Sequence, residues 1–361
     1  MNILYISSKK RWGGVVSWMV KTSSGLSARG HKVTILSHPR SKLNKSFNEN
    51  IKLIPKKLGS TFNPVSIVYI ARLIKRENID IVVTNIDKEI GIGGIAAKLC
   101  GTPNIRRVGR EDDFNSRLRT KLTHKFLVTK CIVPCKYVIG ASLKRAKWLK
   151  DEEFTVIHNG RNPYQADPDA AATLRSEWNV LPGEKIIGMT CQLTKVKYTQ
   201  DMIKAFSRIS ENHPEWKLVI TGEGPERNGL EELTEKLGLK ERTVFAGFTD
   251  DPLLTASCYD IAMSTSKIEG FPNTIVEYFA AGKPVISTDA GGVREIIEDG
   301  INGMVVPFGD SGALTEALEK LVSDDDLRNK FGKKALETLK LSFTEDMMID
   351  KLEKFFSDCV R

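Results

Sequence analysis

The stretch Tyr259-Asp260-Ile261-Ala262-Met263-Ser264 and, downstream of it, Glu269-Gly270-Phe271-Pro272-Asn273-Thr274-Ile275-Val276-Glu277 decide the fold of the second half of this chain. The first run is short and mostly apolar, which is typical of a buried strand. Thr274 to Ala281 is compatible with a helix throughout, and Gly282 closes that helix. A Gly-Pro turn therefore connects a buried strand to a helix, which predicts one unit of a parallel α/β sheet.

The start of this predicted helix is suited to binding an anion. If Asn273 caps the helix, three free amides point out of its first turn, those of Thr274, Ile275 and Val276. A diphosphate would be stabilised there by hydrogen bonds and by the helix dipole. Carboxylates are poor phosphate ligands, so we expect Glu269 to accept hydrogen bonds from sugar hydroxyls and Glu277 from a ribose. The alternative is that both are surface charges.

Strand and helix alternate along the whole chain. Apolar runs predict strands at 2–6, 32–36, 79–84, 104–108, 137–140 and 154–157, and then near 186–191, 217–221, 243–246, 261–264 and 285–287. Helices of the first half and the carboxyl terminus are predicted at 15–28, 64–77, 89–100, 117–130, 142–150 and 343–360. This alternation specifies an α/β fold with mostly parallel sheets that are covered on both faces. Turn-forming residues after His158 place a domain boundary near Pro163.

Length and composition narrow the class of protein. A chain of 361 residues with 41% hydrophobic residues is long enough for two cores. The longest apolar runs, such as Ile90 to Ala97, are well short of the roughly 18 residues that indicate a membrane span. Met1 to Ile6 leads directly into a strand without a signal-peptide pattern, and six scattered cysteines are expected to be free thiols. These features predict a cytoplasmic protein.

The net charge of +9 conceals two halves of opposite sign. Residues 1–160 contain 30 Lys and Arg against 11 Asp and Glu, a charge of +19, whereas residues 161–361 contain 24 against 34, a charge of −10. An asymmetry of this size indicates that the first half meets something anionic.

Several linked motifs resemble one known family. An E-x7-E element from Glu269 to Glu277 is followed by Gly282-Lys283-Pro284-Val285 and by the D-x-G-G turn Asp289-Ala290-Gly291-Gly292. This order resembles the carboxyl-terminal domain of family 4 retaining glycosyltransferases of the GT-B fold. The resemblance implies two Rossmann-like, doubly wound parallel-sheet domains that face each other across a cleft. Residues 1–163 would bind the acceptor, 164–342 would bind the nucleotide-sugar donor, and 343–361 would return to pack on the first domain.

The resemblance also implies roles for single residues. Lys197 lies where the family has a lysine on the donor diphosphate, and Glu269 would bind the donor sugar, so these two are the predicted catalytic residues. The other predicted donor-binding residues are Gly14, Gln192, Gly222, Gly270, Phe271, Asn273, Thr274, Ile275 and Glu277. Two positions depart from the family, since Gln192 replaces an arginine and Tyr198 replaces a glycine.

The amino-terminal domain lacks a residue that the family often has. A histidine usually follows the strand that here ends at Val108, but this chain continues Gly109-Arg110-Glu111-Asp112. Whether Arg110 or Asp112 takes its place stays open, and Gly13 completes the predicted acceptor or phosphate contacts. Asp167-Pro168-Asp169 spells a metal-binding D-x-D, although a proline-bearing linker explains it more simply. No metal and no cofactor are expected.

The implied reaction moves a sugar from a nucleotide-diphosphate donor to a glycan, glycolipid or lipid-linked acceptor, in bacterial cell-surface polysaccharide or lipopolysaccharide synthesis. The anomeric configuration would be retained, with the leaving phosphate oxygen helping to take the acceptor proton. Two alternatives stay open. One is a nucleotide-sugar epimerase of the same architecture, and the other is a non-catalytic protein that binds a nucleotide sugar or an anionic polymer.

The helix predicted at 117–130 indicates a membrane contact. Its basic residues recur every four positions, at Arg117, Lys121 and Lys125, and an apolar stripe lies beside them, formed by Leu118, Leu122 and Phe126. Such a helix suits an anionic membrane surface, which predicts a peripheral location at the inner face of the cytoplasmic membrane. The alternative is a core helix with a solvated charged edge. Nucleic acid is not expected as a partner, because it would need no donor crevice.

Overall fold

The computed structural model describes residues 1–10, 13–47 and 50–360. They form two compact units, Met1–Gly160 with Glu345–Arg361, and Arg161–Thr344. The division falls close to Pro163, where the turn-forming residues place it. Each unit contains a parallel sheet with helices packed against it, so the predicted α/β class is confirmed.

The described residues of the first unit form a seven-stranded sheet. Its strands are β1 (Asn2–Ser7), β2 (Lys32–Ser37), β3 (Lys52–Pro55), β4 (Ile81–Thr84), β5 (Asn104–Arg107), β6 (Lys130–Val133) and β7 (Phe154–Val156). Their order is β3-β2-β1-β4-β5-β6-β7, and every neighbouring pair is parallel. The chain therefore leaves β1 toward one edge and resumes at β4 on the other side, which is the doubly wound arrangement.

Helices connect these strands. They are α1 (Gly14–Ala28), α2 (Pro64–Arg76), α3 (Asp87–Glu89), α4 (Ile95–Leu99), α5 (Leu118–Leu127) and α6 (Lys136–Arg145), with a π-helical turn at Ile90–Gly94. The start of α2 shows how the sequence sets a boundary. The side chain of Asn63 accepts a hydrogen bond from the amide of Ser66 at 2.8 Å, and Pro64 occupies the first turn, where its missing N–H costs nothing.

Two predictions for the first unit are wrong. The strand predicted at 137–140 is part of α6, and the real strand β6 begins at the end of the helix predicted at 117–130. Ile132 and Val133 favour the strand because they are β-branched, and Pro134 follows its last residue. No sequence signal indicated β3, a short strand at the sheet edge in which no residue is fully buried.

The second unit has a six-stranded parallel sheet among its described residues. Its strands are β8 (Lys185–Thr190), β9 (Trp216–Thr221), β10 (Thr243–Gly247), β11 (Ile261–Ser264), β12 (Val285–Thr288) and β13 (Met304–Val306). Its helices are α7 (Pro168–Glu177), α8 (Thr199–Ile209), α9 (Arg227–Lys236), α10 (Pro252–Ser257), α11 (Asn273–Ala280), α12 (Ser311–Ser323) and α13 (Asp325–Ser342). The strand order is β10-β9-β8-β11-β12-β13, so this sheet is also doubly wound. The edge strand β13 was not predicted.

The D-x-D spelling at residues 167–169 is the start of a helix. Asp167 is the N-cap of α7, and its side chain accepts a hydrogen bond from the amide of Asp169 at 3.0 Å. Pro168 occupies the first helical position, which suits its fixed backbone angle. The interpretation of this stretch as a linker is therefore wrong.

The last helix, α14 (Glu345–Val360), packs against α1 in the first unit. The two helices approach closely at Gly25, where a Cβ atom would lie 2.7 Å from the side chain of Ile349. Polar contacts flank this packing, because Lys21 pairs with Glu345, and His31 Nε2 lies 2.7 Å from Glu353. The carboxyl-terminal helix thus completes the hydrophobic core of the first unit.

Two further observations concern the composition of the chain. All six cysteines are free thiols, and burial raises the pKa of Cys131 to about 12. Within the part of the chain that the structure describes, no helix combines the length and the apolar character that crossing a membrane requires.

Candidate active site

The strand order of the second unit indicates where a ligand would bind. The strands β8 and β11 are neighbours at the point where the order reverses, and ligands of doubly wound sheets bind beside the carboxyl ends of such strands. The turns that leave these two ends comprise residues 191–198 and 265–272. They contain both predicted catalytic residues.

Lys197 and Glu269 meet at this point of the sheet. Lys197 Nζ lies 2.5 Å from Glu269 Oε1, and the hydroxyl of Ser266 donates to the same oxygen at 2.9 Å. The pair is partly shielded from water, since only 22% of the lysine side chain and 13% of the glutamate side chain are exposed. One cation and one carboxylate are thus held side by side at the carboxyl ends of β8 and β11.

A buried threonine fixes the backbone that presents Lys197. The hydroxyl of Thr265 lies 3.0 Å from the carbonyl oxygens of both Lys197 and Tyr198, and its side chain is fully buried. The amide of Lys267 donates to the carbonyl of Val196 at 2.8 Å. The two turns are therefore bound to each other by hydrogen bonds. No sequence pattern indicated this role of Thr265, because its partners lie almost 70 residues away.

Tyr198 shows how the chain accommodates its departure from the family pattern. Its backbone is left-handed, with φ at 48°, a conformation that a glycine adopts without strain. The tyrosine ring packs edge-on against Phe308 at a centroid distance of 4.7 Å. This contact offsets part of the roughly 1–2 kcal/mol that a left-handed backbone costs an L-residue.

Two glycines allow the surrounding turns to pack closely. A Cβ atom on Gly222, where φ is 132°, would lie 1.7 Å from the carbonyl oxygen of Cys191. The amide of Gly222 donates to the carbonyl of Gly247 at 2.6 Å, so it is not available for the predicted donor contact. Similarly, a Cβ atom on Gly291 would lie 1.9 Å from the carbonyl oxygen of Glu269. The D-x-G-G motif therefore supports the loop that carries Glu269.

The helix start differs from the prediction. The N-cap of α11 is Pro272, so Asn273 is the first helical residue and the prediction that it caps the helix is wrong. The amide of Ile275 donates to the carbonyl of Pro272 at 3.1 Å, which removes it from the predicted set of free amides. This hydrogen bond joins residues three apart and makes a tight first turn that starts at Pro272, so the helix begins one residue earlier than predicted. Thr274 lies in the first turn and is half-buried.

Phe271 and Gly270 shape the loop before this helix. Phe271 is buried and packs against Phe343 at a centroid distance of 6.2 Å. The carbonyl of Gly270 accepts a hydrogen bond from the amide of Gly292 at 3.0 Å. The side chain of Phe271 thus anchors the loop, and any donor contact of these residues stays a prediction.

Glu277 has a partner that the sequence did not reveal. Its Oε1 accepts hydrogen bonds from Arg161 Nη2 at 2.6 Å and from Arg161 Nε at 3.1 Å. Both side chains are at least nine-tenths buried. Arg161 lies in the turn-forming stretch at the domain boundary, 116 residues from Glu277, and only the tertiary structure brings the two together. The ribose contact of Glu277 stays a prediction.

The remaining predicted residues are Gln192 of the second unit and four residues of the first unit. Gln192 is exposed at the head of the turn after β8. Gly13 and Gly14 belong to the first unit, where Gly14 begins α1 with its backbone exposed. Arg110 and Asp112, also in the first unit, pair with each other at 2.9 Å. Both side chains are exposed and paired with each other, so neither has the buried position that the Lys197–Glu269 pair has.

The helix α5 exposes its apolar stripe. It begins at Leu118, one residue later than predicted, and its buried residues are Thr120 and His124. The stripe Leu118, Leu122 and Phe126 is between 45% and 67% exposed. Arg117 and Lys125 are exposed, and Lys121 is half-buried. The alternative, a core helix with a solvated charged edge, would bury this apolar stripe, so the exposure of the stripe contradicts it.

The described residues contain no group of three or more His, Cys, Asp or Glu that could hold a metal ion. The charge at the switch point instead comes from Lys197, with Glu269 as its partner.

The strand order and this site define a two-unit, doubly wound α/β protein with a candidate ligand site at the switch point of its second unit. Comparisons with known proteins agree with that class. Residues 171–338 match the family model described as glycosyl transferases group 1, and residues 12–165 match the model of glycosyltransferase family 4. The lipopolysaccharide core biosynthesis glycosyltransferase LpsD of Rhizobium meliloti (strain 1021) is 30% identical over 244 residues, which cover 68% of this chain and 67% of LpsD.

The chain therefore belongs to the group 1 glycosyltransferases, and the resemblance seen in its motifs is confirmed. The chain matches two further relatives over only part of their length, 49% of one protein and 61% of the other.

Solved structures show the same fold. A glycosyltransferase from Rickettsia africae ESF-5 superposes with a TM-score of 0.89 at 23% identity, over 100% of this chain and 98% of that one. Anabaena Alr3699/HepE, solved in complex with UDP-glucose, superposes with a TM-score of 0.84 at 20% identity, over 99% of this chain and 100% of that one. The predicted GT-B fold is thereby confirmed.

Proposed function

We propose that the protein transfers a sugar from a nucleotide-diphosphate donor to a glycan, glycolipid or lipid-linked acceptor, in the synthesis of a bacterial cell-surface polysaccharide or lipopolysaccharide. The observation that carries this proposal is the Lys197–Glu269 pair at the switch point of the second unit. Support also comes from family membership and from LpsD, whose name assigns it to lipopolysaccharide core biosynthesis. The HepE complex with UDP-glucose supports a nucleotide-sugar donor.

The pair suits the two ends of such a donor. A diphosphate would attract the Lys197 ammonium, and charge-assisted contacts of this kind are the strong ones. Glu269 would then exchange its lysine partner for sugar hydroxyls, while Ser266 holds the carboxylate in place. A cation placed at the leaving diphosphate stabilises the charge that develops there in the transition state.

The reaction would retain the anomeric configuration. The acceptor oxygen forms a bond to the anomeric carbon on the face from which the diphosphate departs, and the bond from that carbon to the phosphate oxygen breaks. The departing oxygen takes the acceptor proton, so no protein nucleophile is required. Lys197 and backbone amides meet the developing charge, and we therefore expect no metal requirement. Transfer measured in EDTA should equal transfer with added magnesium; activity lost in EDTA and restored by magnesium or manganese would contradict this.

The first unit would contact the membrane through α5. The exposed apolar stripe lies beside basic residues, and apolar residues of neighbouring helices are exposed as well, among them Val65 of α2 and Leu99 of α4. Arg119 lies over the ring of Phe62 at 5.1 Å, which links α5 to the turn before α2. Such a surface would bring the enzyme to a lipid-linked acceptor at the inner face of the cytoplasmic membrane.

Thermal shifts with a panel of UDP-, GDP- and ADP-sugars test the donor assignment. One nucleotide sugar should raise the melting temperature, and Lys197→Met should lose that shift together with transfer. Lys195→Met is the matched control, because Lys195 is an exposed lysine of the same short helical turn. A shift that survives in Lys197→Met, or that disappears equally in Lys195→Met, would refute the role of Lys197.

A further inference from the structure

The first unit has a switch point of its own. The strands β1 and β4 are the neighbours at which its strand order reverses, with β5 next to β4. The residues that follow β1 and β4 are held together by the fully buried carboxylate of Glu89. Its Oε1 accepts from the amide and the hydroxyl of Ser8 at 2.6 and 2.9 Å, and its Oε2 accepts from the amide of Asn85 at 3.0 Å. Glu89 thus fixes the backbone on both sides of the switch point.

Two polar side chains reach the same face of the sheet here. The register pairs Val83 of β4 with Ile105 of β5, and both belong to the core that includes Trp18 of α1. Side chains alternate along a strand, so two residues later Asn85 and Arg107 return to that face. The Arg107 guanidinium lies 5.2 Å from the centre of the Trp18 ring, which confirms its direction.

Arg107 carries a buried positive charge. Its side chain is 6% exposed, and the structure records neither a hydrogen bond nor an ion pair between its guanidinium and a described residue. Burial lowers its pKa to about 10, although the charge of Asp113 acts in the opposite direction. The preceding residue, Arg106, behaves differently, since it pairs with Asp87 at 3.3 Å and donates to the carbonyl of Asp113 at 2.6 Å.

The guanidinium occupies the space that a side chain at position 109 would fill. A Cβ atom on Gly109 would lie 2.1 Å from Arg107 Nη1. Gly109 belongs to the stretch after Val108 in which the sequence lacks the expected histidine. The two candidates for its place, Arg110 and Asp112, pair with each other at the surface. Arg107 therefore places a buried basic group against this stretch, and glycine at position 109 makes room for it.

The Asn85 side chain, on the same face of the sheet as Arg107, has no hydrogen-bond partner among the described residues. It is 3% exposed, and neither its amide nitrogen nor its amide oxygen has a partner among the described residues. A buried amide without a partner destabilises the fold, so a native protein that keeps one usually has a use for it.

Further cations surround the carboxyl ends of the neighbouring strands. The pKa of His38, after β2, is lowered by partial desolvation and then by the charges of four nearby residues, namely Lys10, Arg40, Lys88 and Lys57. These residues follow β1, β2, β4 and β3, so positive charge accumulates along this sheet edge. Such an edge attracts anions.

We propose that Arg107 and Asn85 form a subsite of the first unit for a phosphate group. The guanidinium would pair with the phosphate oxygens, and the Asn85 amide would donate to the same group or bind an adjacent hydroxyl. This inference rests on the proposed function, in which the phosphate belongs either to the acceptor or to the donor diphosphate. It assigns to this site a ligand class and two residues that the sequence motifs did not select.

Calorimetric titration of the full-length protein with inorganic phosphate and, separately, with UDP tests the subsite. Arg107→Gln and Asn85→Leu should each weaken phosphate binding about ten-fold or more, as expected for loss of a strong polar contact. Arg145→Gln, an exposed arginine of α6, is the matched control and should bind like the native protein. If Arg107→Gln weakens UDP binding as well, the donor supplies the phosphate; if UDP binding is unchanged, the acceptor supplies it.

Thermal unfolding without phosphate separates a binding role from a structural one. Both variants should unfold at a higher temperature than the native protein, because Arg107→Gln removes a buried charge and Asn85→Leu removes a buried amide that has no partner among the described residues. Unchanged phosphate affinity in Arg107→Gln, lower melting temperatures in both variants, or a loss of binding in Arg110→Gln alone would overturn the proposal. Phosphate binding is measured without turnover, so a chain that transfers no sugar but binds phosphate through Arg107 would refute the proposed function and not this subsite.

Discussion

In the structure, the Lys197 ammonium and the Glu269 carboxylate neutralise each other's charge. In the proposed function, a phosphate that binds Lys197 would compete with the carboxylate, and a sugar hydroxyl that binds Glu269 would replace the lost lysine contact. The exchange would conserve the number of charge-assisted hydrogen bonds, so donor binding would leave neither group buried and unpaired. Ser266 would support this exchange, because it holds Glu269 through the oxygen that also contacts the lysine.

Glu269→Gln keeps the shape of the side chain and removes its charge. We expect sugar transfer to fall about 100-fold or more, on the scale seen when one preorganised polar contact to a transition state is lost. The free energy of unfolding should change by about 1 kcal/mol or less, because the pair is still partly exposed. Transfer rates and donor affinity, measured beside thermal unfolding, check both expectations. Glu298→Gln, at an exposed site, is the control. Near-normal turnover in a stable Glu269→Gln protein would remove Glu269 from the catalytic assignment.

His124 should make the stability of the first unit depend on pH. Burial, and then the charges of Arg106 and Lys125, lower its pKa to about 4, whereas an unfolded histidine titrates near 6.5. The folded protein therefore binds fewer protons than the unfolded chain between these values, so stability is lost as the pH falls from 6.5 toward 4. The loss should approach about 3 kcal/mol.

His124→Phe should flatten this dependence. The ring lies 5.3 Å from both Phe114 and Trp148, so an aromatic replacement fits its surroundings. Urea unfolding at several pH values between 4 and 7.5 measures the slope. His213→Gln, which removes a histidine of the second unit, should leave the slope of the first unit unchanged. An equal slope in native protein and His124→Phe would show that another group titrates.

At the scale of elements, the site depends on how closely neighbouring turns approach. The turns after β8 and β9 touch at Gly222, and the loop after β11 touches the D-x-G-G turn at Gly291. Each glycine has a positive φ and a neighbouring carbonyl where a Cβ atom would lie. The glycines of the motifs thus act on the candidate site through packing, by setting the position of the loops that carry Lys197 and Glu269.

Gly222→Ala should therefore disrupt the crevice. The added methyl group would overlap the carbonyl of Cys191, and the backbone angle disfavours any L-residue, so we expect a loss of unfolding free energy of about 3 kcal/mol or more together with lost donor binding. Gly229→Ala is the matched control, because Gly229 lies within α9 and a Cβ atom there meets nothing within 4 Å. That variant should gain about 0.5–1 kcal/mol. Chemical unfolding and donor titration measure both; equal behaviour of the two variants would contradict the packing role.

At the scale of the whole molecule, charge separates the two units. The carboxyl-terminal residues Glu345–Arg361 add five acidic and three basic residues to the first unit, which reduces its charge from +19 to +17, and the second unit is acidic. Some of these acidic residues are used locally, since Arg29 pairs with Glu353 at 2.6 Å. The excess positive charge of the first unit is consistent with an anionic partner.

Binding to lipid vesicles should follow this charge. The native protein should bind more tightly as the fraction of anionic lipid rises and less tightly as salt is added. Replacing Arg117, Lys121 and Lys125 by glutamate should weaken binding on the order of 100-fold or more, since each basic residue near an anionic surface contributes about 1 kcal/mol. The same replacement at Lys144, Arg145 and Lys147, which are also exposed, changes the net charge equally and is the control.

Sedimentation with vesicles of increasing anionic lipid content measures this binding. If the α5 variant and the control lose equal affinity, net charge alone governs the interaction and α5 is not the docking face. If the native protein fails to sediment at low salt, the first unit does not bind membranes.

The sequence by itself determined the local part of this structure. Apolar runs bounded by turn residues identified most strands, and the motif from Glu269 to Glu277 located the strand-to-helix turn of the site. These signals are readable because they depend on residues that are close in sequence. Where the local signal was weak, as at the edge strands β3 and β13, the prediction failed. Where it was ambiguous, as at Asn273, the helix boundary was misplaced by one residue.

Only the tertiary structure decided which distant residues act together. The strand order placed Lys197 beside Glu269, and close packing joined Arg161 to Glu277 and Thr265 to the turn before α8. In the first unit it was the sheet register that brought Arg107 and Asn85 to one face. None of these pairs follows from spacing, because a long-range contact is fixed by the free energy of burying whole faces of helices and sheets, to which many residues contribute and no short motif corresponds.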